Sequence, residues 1–473
     1  MKKLLLIFIV IYFGISAQAQ YGSFGVTDAY SLGMGNTYNA TAYGLLSVGK
    51  NPGWLHHQDK DIKVSIIFPN LTAQTYGFNQ AFSTFDYYFG DISKESINRL
   101  SDEKFMKVLD NNGKLFVDGL VGFLSVSYTP SRKIGTFAFT VSDYISAFLD
   151  IPNIVISSIN NQEQISGTFS LDDFVYKTWW LRTFALSYSR NILKYDKGIL
   201  KQLDGGITLK YIKGFAYQKI SLESSVAFSN QNVLFNANIQ GEALSSFSDE
   251  LTALDVFNTF KKKDGELYWP KSASTAFGFD IGFGAILDYG IKIGISATDV
   301  GKVKWDQNST KGNLSGSFQV KGELDISKID SIATNFSYTA SKKNYFYTPL
   351  PTAIRLGLAW QADEAFKKFP GYLLLGLDLN VGMNNEPSNF KTPRYSIGLE
   401  YHYWKYGPVL LLGTTYDQLN KDRVAIGVGA KTRTVDFYAS TIDLIPIIRT
   451  KDRASIALVL VWKIRSKKGR KSS

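Results

Sequence analysis

The residues able to perform catalysis are few in this sequence of 473 residues. It contains three histidines, His56, His57 and His402, and no cysteine. No G-x-S-x-G run is present, so a serine nucleophile would have to take one of these imidazoles as its base. The lack of cysteine excludes disulfides and thiolate metal sites. The sequence therefore predicts no catalytic residue, no metal site and no cofactor, and a protein that is not an enzyme.

Four charged residues indicate an enclosed interior. Each lies among small residues, on the face of a predicted strand opposite an apolar stripe: Asp280, Arg355, Asp378 and Glu400. If these strands cross a bilayer, an outward-facing arginine at the midplane costs about 2–4 kcal/mol, so the charges must point inward. They could form a selectivity lining, or pair with one another and seal the lumen. Pairing is slightly favoured, because a plugged lumen commonly satisfies its charges internally.

Alternation with a period of two predicts the strands that hold these residues. Between residues 277 and 285, Phe and Ile alternate with Gly and Asp, the turn Asp288-Tyr289-Gly290 follows, and residues 291–298 alternate again. This pattern predicts a hairpin. It recurs at 352–360 and 395–403. Further candidate strands cover 62–68, 115–129, 134–146, 178–190, 204–213, 217–227, 232–239, 314–323, 371–381, 408–416, 423–432, 433–440 and 454–464, about sixteen or seventeen in all.

Two features favour a membrane barrel over a soluble β-sandwich or a multi-domain periplasmic protein. The second face of the strands is dominated by Gly, Ser and Ala, as expected for a lumen. Aromatic residues gather near strand ends, at Trp179-Trp180, at 401–404 and at Trp462, where an interfacial girdle would lie. The predicted fold is all-β, a transmembrane antiparallel β-barrel of about 14 strands with an N-terminal interior plug and short loop helices.

The termini predict export to the outer membrane of a Gram-negative bacterium. Two lysines, an apolar run and Ala17-Gln18-Ala19 predict a cleaved signal peptide at 1–19, with an uncleaved anchor as the alternative. The hatch or plug then covers 20–60, the barrel 61–464 and a basic tail 465–473. The net charge is +11. The tail is expected to contact anionic lipid headgroups of the outer membrane, and nucleic acid is disfavoured for an exported barrel.

The histidines fit this barrel as structural residues. His56 and His57 could contact a metal or a ligand, but a polar pair at the periplasmic rim is favoured. His402 has a tyrosine on either side, so a position in the lumen or the girdle is favoured over a catalytic one.

Residues 31–55 are rich in Gly, Ala, Ser and Asn and have neither a helical nor a strand period. A segment of this kind packs its backbone closely against other structure and can fold inward. Leu32-Gly33-Met34-Gly35 and Asn51-Pro52 resemble the "LGMGGA" and "NPA" motifs in the N-terminal hatch of the fatty-acid-transporter (FadL-like) family of outer-membrane barrels, which includes the PorV-type accessory of type IX secretion. Asn36, Thr37 and Gly53 depart from those motifs.

The resemblance implies a 14-stranded barrel with an interior plug, whose hatch or gate residues are Gly33, Gly35, Asn51, Pro52 and Gly53. Residues 122–143 and 205–217 are also similar to a Bacteroidota outer-membrane family of unknown function. The expected function is passive transport of a small hydrophobic or amphipathic ligand. The alternative is a non-transporting accessory barrel that binds a secretion or surface protein, through loop helices predicted at 92–109 and 248–263; shorter helices are predicted at 151–160 and 325–335.

Overall fold

The computed structural model describes residues 27–76, 114–150, 167–170, 174–229, 234–249, 270–321, 336–366, 368–416, 423–448 and 453–466. Within these ranges, no helix is long and apolar enough to cross a bilayer. All four helices predicted for the loops fall wholly or almost wholly outside the described residues.

Fourteen antiparallel strands close into one barrel, which confirms the predicted fold class. Each strand pairs with the next in the following order, and the last pairs with the first: β1 (Ile62–Tyr76), β2 (Lys114–Ser131), β3 (Gly135–Asp150), β5 (Val175–Lys194), β6 (Leu200–Ser229), β8 (Ser274–Leu287), β9 (Ile291–Trp305), β13 (Ala353–Gln361), β14 (Tyr372–Gly382), β15 (Pro393–His402), β16 (Gly407–Tyr416), β17 (Arg423–Lys431), β18 (Val435–Thr441) and β19 (Arg453–Arg465).

The wall has the polarity of a membrane barrel. Along β8, the side chains of Phe277, Phe279, Ile281 and Phe283 are exposed on the outside, and every intervening residue is buried. The same alternation occurs on β13, where Ile354 and Leu356 are exposed and Arg355 is buried. In hydrocarbon, a closed sheet pairs all of its backbone hydrogen-bonding groups between strands and leaves no open edge, and an apolar outer face with a polar interior suits the lipid around it. The chain is therefore an outer-membrane β-barrel.

Five further strands lie outside the closed ring: β4 (Gly167–Ser170), β7 (Leu234–Phe247), β10 (Thr310–Lys321), β11 (Phe336–Lys342) and β12 (Phe346–Pro349). β12 pairs with β9, whereas the other four extend the sheet from the second half of β6, which is 30 residues long. Its first half pairs with β8 in the barrel, whereas residues 216–229 pair with β7, which pairs in turn with β10. The sequence predicted two strands, 204–213 and 217–227, where the structure has one continuous strand that runs past the barrel.

The two ends of the barrel differ in the length of their connections. Turns of three to five residues join β2 to β3, β5 to β6, β8 to β9, β15 to β16 and β17 to β18 at the end where β1 begins and β19 ends. The connection at 362–371, which joins β13 to β14 at the same end, is the exception. Every connection at the other end is longer than five residues, and 417–422 is the shortest of them. Outer-membrane barrels have short periplasmic turns and longer extracellular loops. The short-turn end is therefore the periplasmic end.

The prediction that Trp179 and Trp180 belong to the aromatic girdle is wrong. Trp179 and Trp180 are buried and do not form a girdle, because Trp179 packs in a cluster with Tyr217 and Trp305, and Trp180 packs on Phe215. Other aromatic residues predicted for the girdle, Tyr403, Trp404 and Trp462, are exposed.

The boundary predicted between barrel and tail is also displaced. Arg465 was placed in the basic tail, but it is the last residue of β19. Its backbone pairs with that of Ile62 in β1, and its guanidinium is 3.0 Å from the Asp59 carboxylate and 2.5 Å from that of Asp61. The tail beyond residue 466 is outside the described residues.

Ile281 faces outward at the middle of β8, so Ile281→Arg tests the lipid contact. The substitution is expected to lower the free energy of unfolding in phosphatidylcholine vesicles by about 2–4 kcal/mol, the cost of an arginine at the midplane. Thr275→Arg, near the end of the same strand, is the control and is expected to cost less than about 1 kcal/mol. Urea titration of refolded protein measures both, and equal losses in the two variants would contradict the assigned depth.

Candidate functional site

Residues 27–60 form a hatch that lies inside the barrel. It contains a short helix, α1 (Ala29–Gly33), and two 3₁₀ turns, Gly44–Ser47 and Pro52–His56. Asp28 caps α1 by accepting a hydrogen bond from the amide of Ser31 (3.0 Å). All residues from 27 to 56 are buried except Tyr43, Val48 and Gly49, which are half-buried. The hatch touches strands on opposite sides of the ring, from β5, β6 and β8 to β16, β17 and β18.

The hatch rests on a belt of inward-facing glycines, and this belt is the central feature of the site. Each of these glycines leaves so little room that an added Cβ would overlap hatch atoms: Gly206, Gly282, Gly284, Gly294, Gly357, Gly376, Gly398 and Gly413. Many are paired across neighbouring strands, such as Gly284 with Gly294 and Gly398 with Gly413. The hatch backbone therefore packs directly on the backbone of the wall.

Polar groups of the wall hold the hatch backbone in this position. The carboxylate of Asp378, on β14, accepts hydrogen bonds from the amides of Tyr38 and Asn39, both at 2.7 Å. The hydroxyl of Ser296, on β9, lies 2.9 Å from the side-chain oxygen of Asn39 and 2.7 Å from the carbonyl oxygen of Lys50, and it can donate to either one. Buried backbone groups need such partners where no regular secondary structure supplies them.

The four predicted lumen charges all point inward, but they do not form one site. Arg355 donates to Thr298 and to the carbonyl of Lys50 (3.4 Å), and its guanidinium lies 5.5 Å from the ring centre of Tyr38. Glu400 accepts from the hydroxyl of Tyr30 (2.8 Å) and from Lys431.

Asp280 differs from the other three because its partners belong to the wall. Lys210 Nζ lies 2.7 Å from its carboxylate and 2.6 Å from that of Asp299, whose amide also donates to Asp280 (2.8 Å). Asp378, Arg355 and Glu400 thus hold the hatch, whereas Asp280 closes a local irregularity between β8 and β9.

The predicted gate residues all lie at the surface where hatch meets wall. The Cα of Gly33 packs against Gly427, and Gly35 has a φ of 63°, a conformation that favours glycine. Asn51 donates to the carbonyls of Asn39 and Phe283, both at 3.0 Å, and accepts from the amide of Gly53. Pro52 and Gly53 pack on Gly206 and Phe283.

The periplasmic end of the hatch is tied to the barrel by arginines. Arg132, in the turn between β2 and β3, donates to the carbonyls of His56 (2.7 Å), Gln58 (2.6 Å) and Asp59 (2.7 Å). With the ion pairs of Arg465, these contacts fix residues 56–61. His56 is buried and bonded to the hydroxyl of Thr136 (2.9 Å). The described residues include no group of three or more His, Asp or Glu side chains placed to hold a metal.

The hatch separates two spaces inside the barrel. On the extracellular side is the upper cavity of about 140 Å³, with both apolar and Ser/Thr side chains in its wall, among them Leu45, Leu120, Ser125, Thr183 and Leu350. On the periplasmic side is the vestibule of about 460 Å³, lined by several lysines and aromatic residues, among them Tyr43, Lys292, Tyr372, His402 and Lys431.

The model of a family described as "Family of unknown function (DUF5723)" matches residues 52–441, most of the chain. The chain belongs to this family. The match confirms the similarity to a family of unknown function that the sequence indicated. The closed ring of 14 strands around an N-terminal hatch is the architecture implied by the resemblance to FadL-like barrels.

Solved structures similar to this chain include two toluene transporters and a FadL homologue. The Ralstonia pickettii toluene transporter TbuX has 12% identity and a TM-score of 0.45, covering 94% of this chain and 99% of that chain. The Pseudomonas putida toluene transporter TodX has 10% identity and a TM-score of 0.41 over 94% and 99%. A Pseudomonas aeruginosa FadL homologue has 11% and 0.40 over 93% and 99%. No curated protein matches the sequence.

The alternation of residues does not predict the glycine belt, although its glycines can be seen in the sequence. Gly282, Gly284, Gly294, Gly357 and Gly398 occupy alternate positions in predicted strands. This pattern predicts only that these glycines line the lumen. Glycine inside a strand often marks close approach of another backbone, and its recurrence on adjacent strands was the available signal.

Gly294→Ala is expected to displace the hatch, because the added methyl overlaps the carbonyl of Asn39. The free energy of unfolding should fall by about 1–3 kcal/mol, as for overpacking in a core, and the hatch should become more sensitive to protease. Gly119→Ala is the matched control, since nothing lies within 4 Å of its added Cβ. Urea titration and limited proteolysis measure the effect, and identical behaviour of the two variants would contradict close packing.

Burial and the nearby guanidinium groups of Arg132 and Arg190 lower the pKa of His56 to about 4. In the unfolded chain, a histidine has a pKa of about 6.5, so between these values only the unfolded chain binds the proton. Stability should therefore fall as the pH drops through this window. His56→Gln is expected to reduce that loss between pH 7.5 and pH 4.5, measured by urea unfolding. A pH dependence as steep as in the wild type would refute the contribution of His56.

Proposed function

We propose that this protein is a passive outer-membrane channel for small apolar or amphipathic molecules, with the hatch as its gate. The observation that carries the proposal is the position of the hatch, which fills the ring at the glycine belt between the upper cavity and the vestibule. A molecule that crosses the barrel must displace residues of the hatch. In this proposal, movement through the barrel follows the concentration gradient of the transported molecule.

The upper cavity supports the proposed size and polarity of the substrate. Its volume of about 140 Å³ is close to that of an engineered protein cavity that binds benzene. Leucine side chains from both hatch and wall supply apolar contact, and Ser125, Thr140 and Thr183 supply hydroxyl groups. Five charged residues also line the cavity, and four of them form the pairs Lys50–Asp28 and Lys210–Asp299, with Arg355 as the fifth. This lining suits a small amphipathic molecule with an apolar body and a polar group.

The attachments of the hatch suggest which part moves. Residues 56–61 are fixed by the guanidinium groups of Arg132 and Arg465, whereas the path from α1 to Asn51 is held by hydrogen bonds and by close contacts with glycines of the wall. Shifts around Gly33, Gly35 and Asn51-Pro52-Gly53 would open a passage while the periplasmic end stays attached.

Deleting residues 22–55 is expected to raise single-channel conductance and uptake of toluene into liposomes, because it removes the material that fills the ring. The native chain has no cysteine, so a locked hatch can be built by combining Asn39→Cys with Ser296→Cys, whose native side chains are 2.9 Å apart. Uptake should be lower in the oxidised form of that variant than in its reduced form.

The reduced double variant is the control for the two substitutions, and mass spectrometry verifies the disulfide. Uptake that is unchanged by both the deletion and the oxidised lock would rule out the hatch as a gate.

A second candidate function is favoured by the sheet that runs past the barrel. Residues 216–229 of β6 continue with β7, β10 and β11 as a sheet beyond the ring at the extracellular end. Such a platform suits a non-transporting accessory that binds a secretion or surface protein. Binding of a partner that is lost when β7 and β10 are altered, with no uptake phenotype, would favour this function.

A further inference from the structure

The vestibule has the form of a ligand site that the channel proposal does not need. Its volume of about 460 Å³ is within the range of small-molecule pockets. Hatch residues 40–46 form one side, and barrel strands form the other. Tyr43, Tyr372, Tyr406 and Trp54 contribute aromatic surface. Aromatic walls with a few convergent polar groups are typical of sites for small organic molecules.

Four of the five lysines around the vestibule either have an acidic partner or are exposed to solvent. Lys463 Nζ lies 2.6 Å from Asp436, and Lys431 is paired with Glu400. Lys60 and Lys405 are exposed to solvent at the mouth. These four lysines therefore have either a carboxylate or water to satisfy their charge.

Lys292, on β9, is the exception. Its residue is 6% exposed, and its ammonium group donates to the side-chain oxygen of Gln361 (2.8 Å). Among the described residues, no carboxylate lies within ion-pair distance of this ammonium, although Glu364 lines the same vestibule from α2 (Ala362–Ala365). An ammonium has three donors, and a buried one is costly without an anionic partner. Glu364 is exposed, which leaves the position beside Lys292 open to another anion.

We propose that the vestibule binds a small aromatic anion, with Lys292 donating to its anionic head and the tyrosine side chains packing on its ring. A charge-assisted hydrogen bond from a buried lysine selects the ionised head over a neutral group of the same shape. The site would exist whether or not the barrel transports, so failure of this proposal leaves the channel proposal untouched, and the reverse also holds.

The test uses the full chain in dodecyl maltoside micelles at pH 7.5, with benzoate and its neutral analogue benzamide as probes in isothermal titration calorimetry. Wild type is expected to bind benzoate at least about tenfold more tightly than benzamide, the difference made by one hydrogen bond between charged groups. Lys292→Met, which keeps the length of the side chain, should bind benzoate about tenfold more weakly than wild type and should bind benzamide with little change. Lys292→Arg should retain most of the affinity for benzoate.

Two further variants separate binding from folding. Lys197→Met removes an exposed lysine from the turn between β5 and β6, away from the vestibule, and should leave both affinities unchanged. Glu364→Gln, at an exposed position, removes the competing negative charge and should tighten benzoate binding about threefold even if Lys292→Met fails to fold. Equal affinity of wild type for benzoate and benzamide, wild-type binding by Lys292→Met, or no gain in Glu364→Gln would overturn the proposal.

Discussion

Contact between the backbone of the hatch and the backbone of the wall is the constraint on which the interior of this barrel depends. It requires glycine at successive positions around the ring, because a methyl group at Gly294, Gly357 or Gly413 would occupy space taken by the hatch. Close packing of this kind leaves no room for water between the two surfaces. The polar groups of the hatch must therefore find their partners on the wall itself, as the amides of Tyr38 and Asn39 do on Asp378.

This constraint explains why the interior charges serve attachment. In an open pore, Asp378, Arg355 and Glu400 would face water and attract mobile ions. Here each contacts the hatch, through its backbone, a tyrosine hydroxyl or a tyrosine ring. The sealed level then divides the lumen into two spaces of different chemistry. The upper cavity combines apolar, hydroxyl and mostly paired charged groups, whereas the vestibule combines lysines with aromatic rings.

Much of the wall could be predicted from the sequence, because a lipid-facing strand must place apolar residues at every second position. The pattern at 277–285 gave both the strand and the inward direction of Asp280, and the same reasoning placed Arg355, Asp378 and Glu400 inside. The partners of these residues could not be predicted, since Tyr38 and Asp378 are 340 positions apart. The period of two also continues where a strand leaves the membrane, so it could not show that β6 runs past the barrel or that Trp179 and Trp180 are covered.

The seam between β1 and β19 has a consequence for biogenesis. These are the first and last strands of the chain, and they pair from Ile62 with Arg465 to Tyr76 with Arg453. The cylinder can therefore be completed only after the C-terminal strand has arrived. The hatch immediately precedes β1 and contacts strands from both halves of the sequence. The segment that fills the interior is therefore synthesised before the wall, and it is covalently joined to the strand that must meet β19 to close the cylinder.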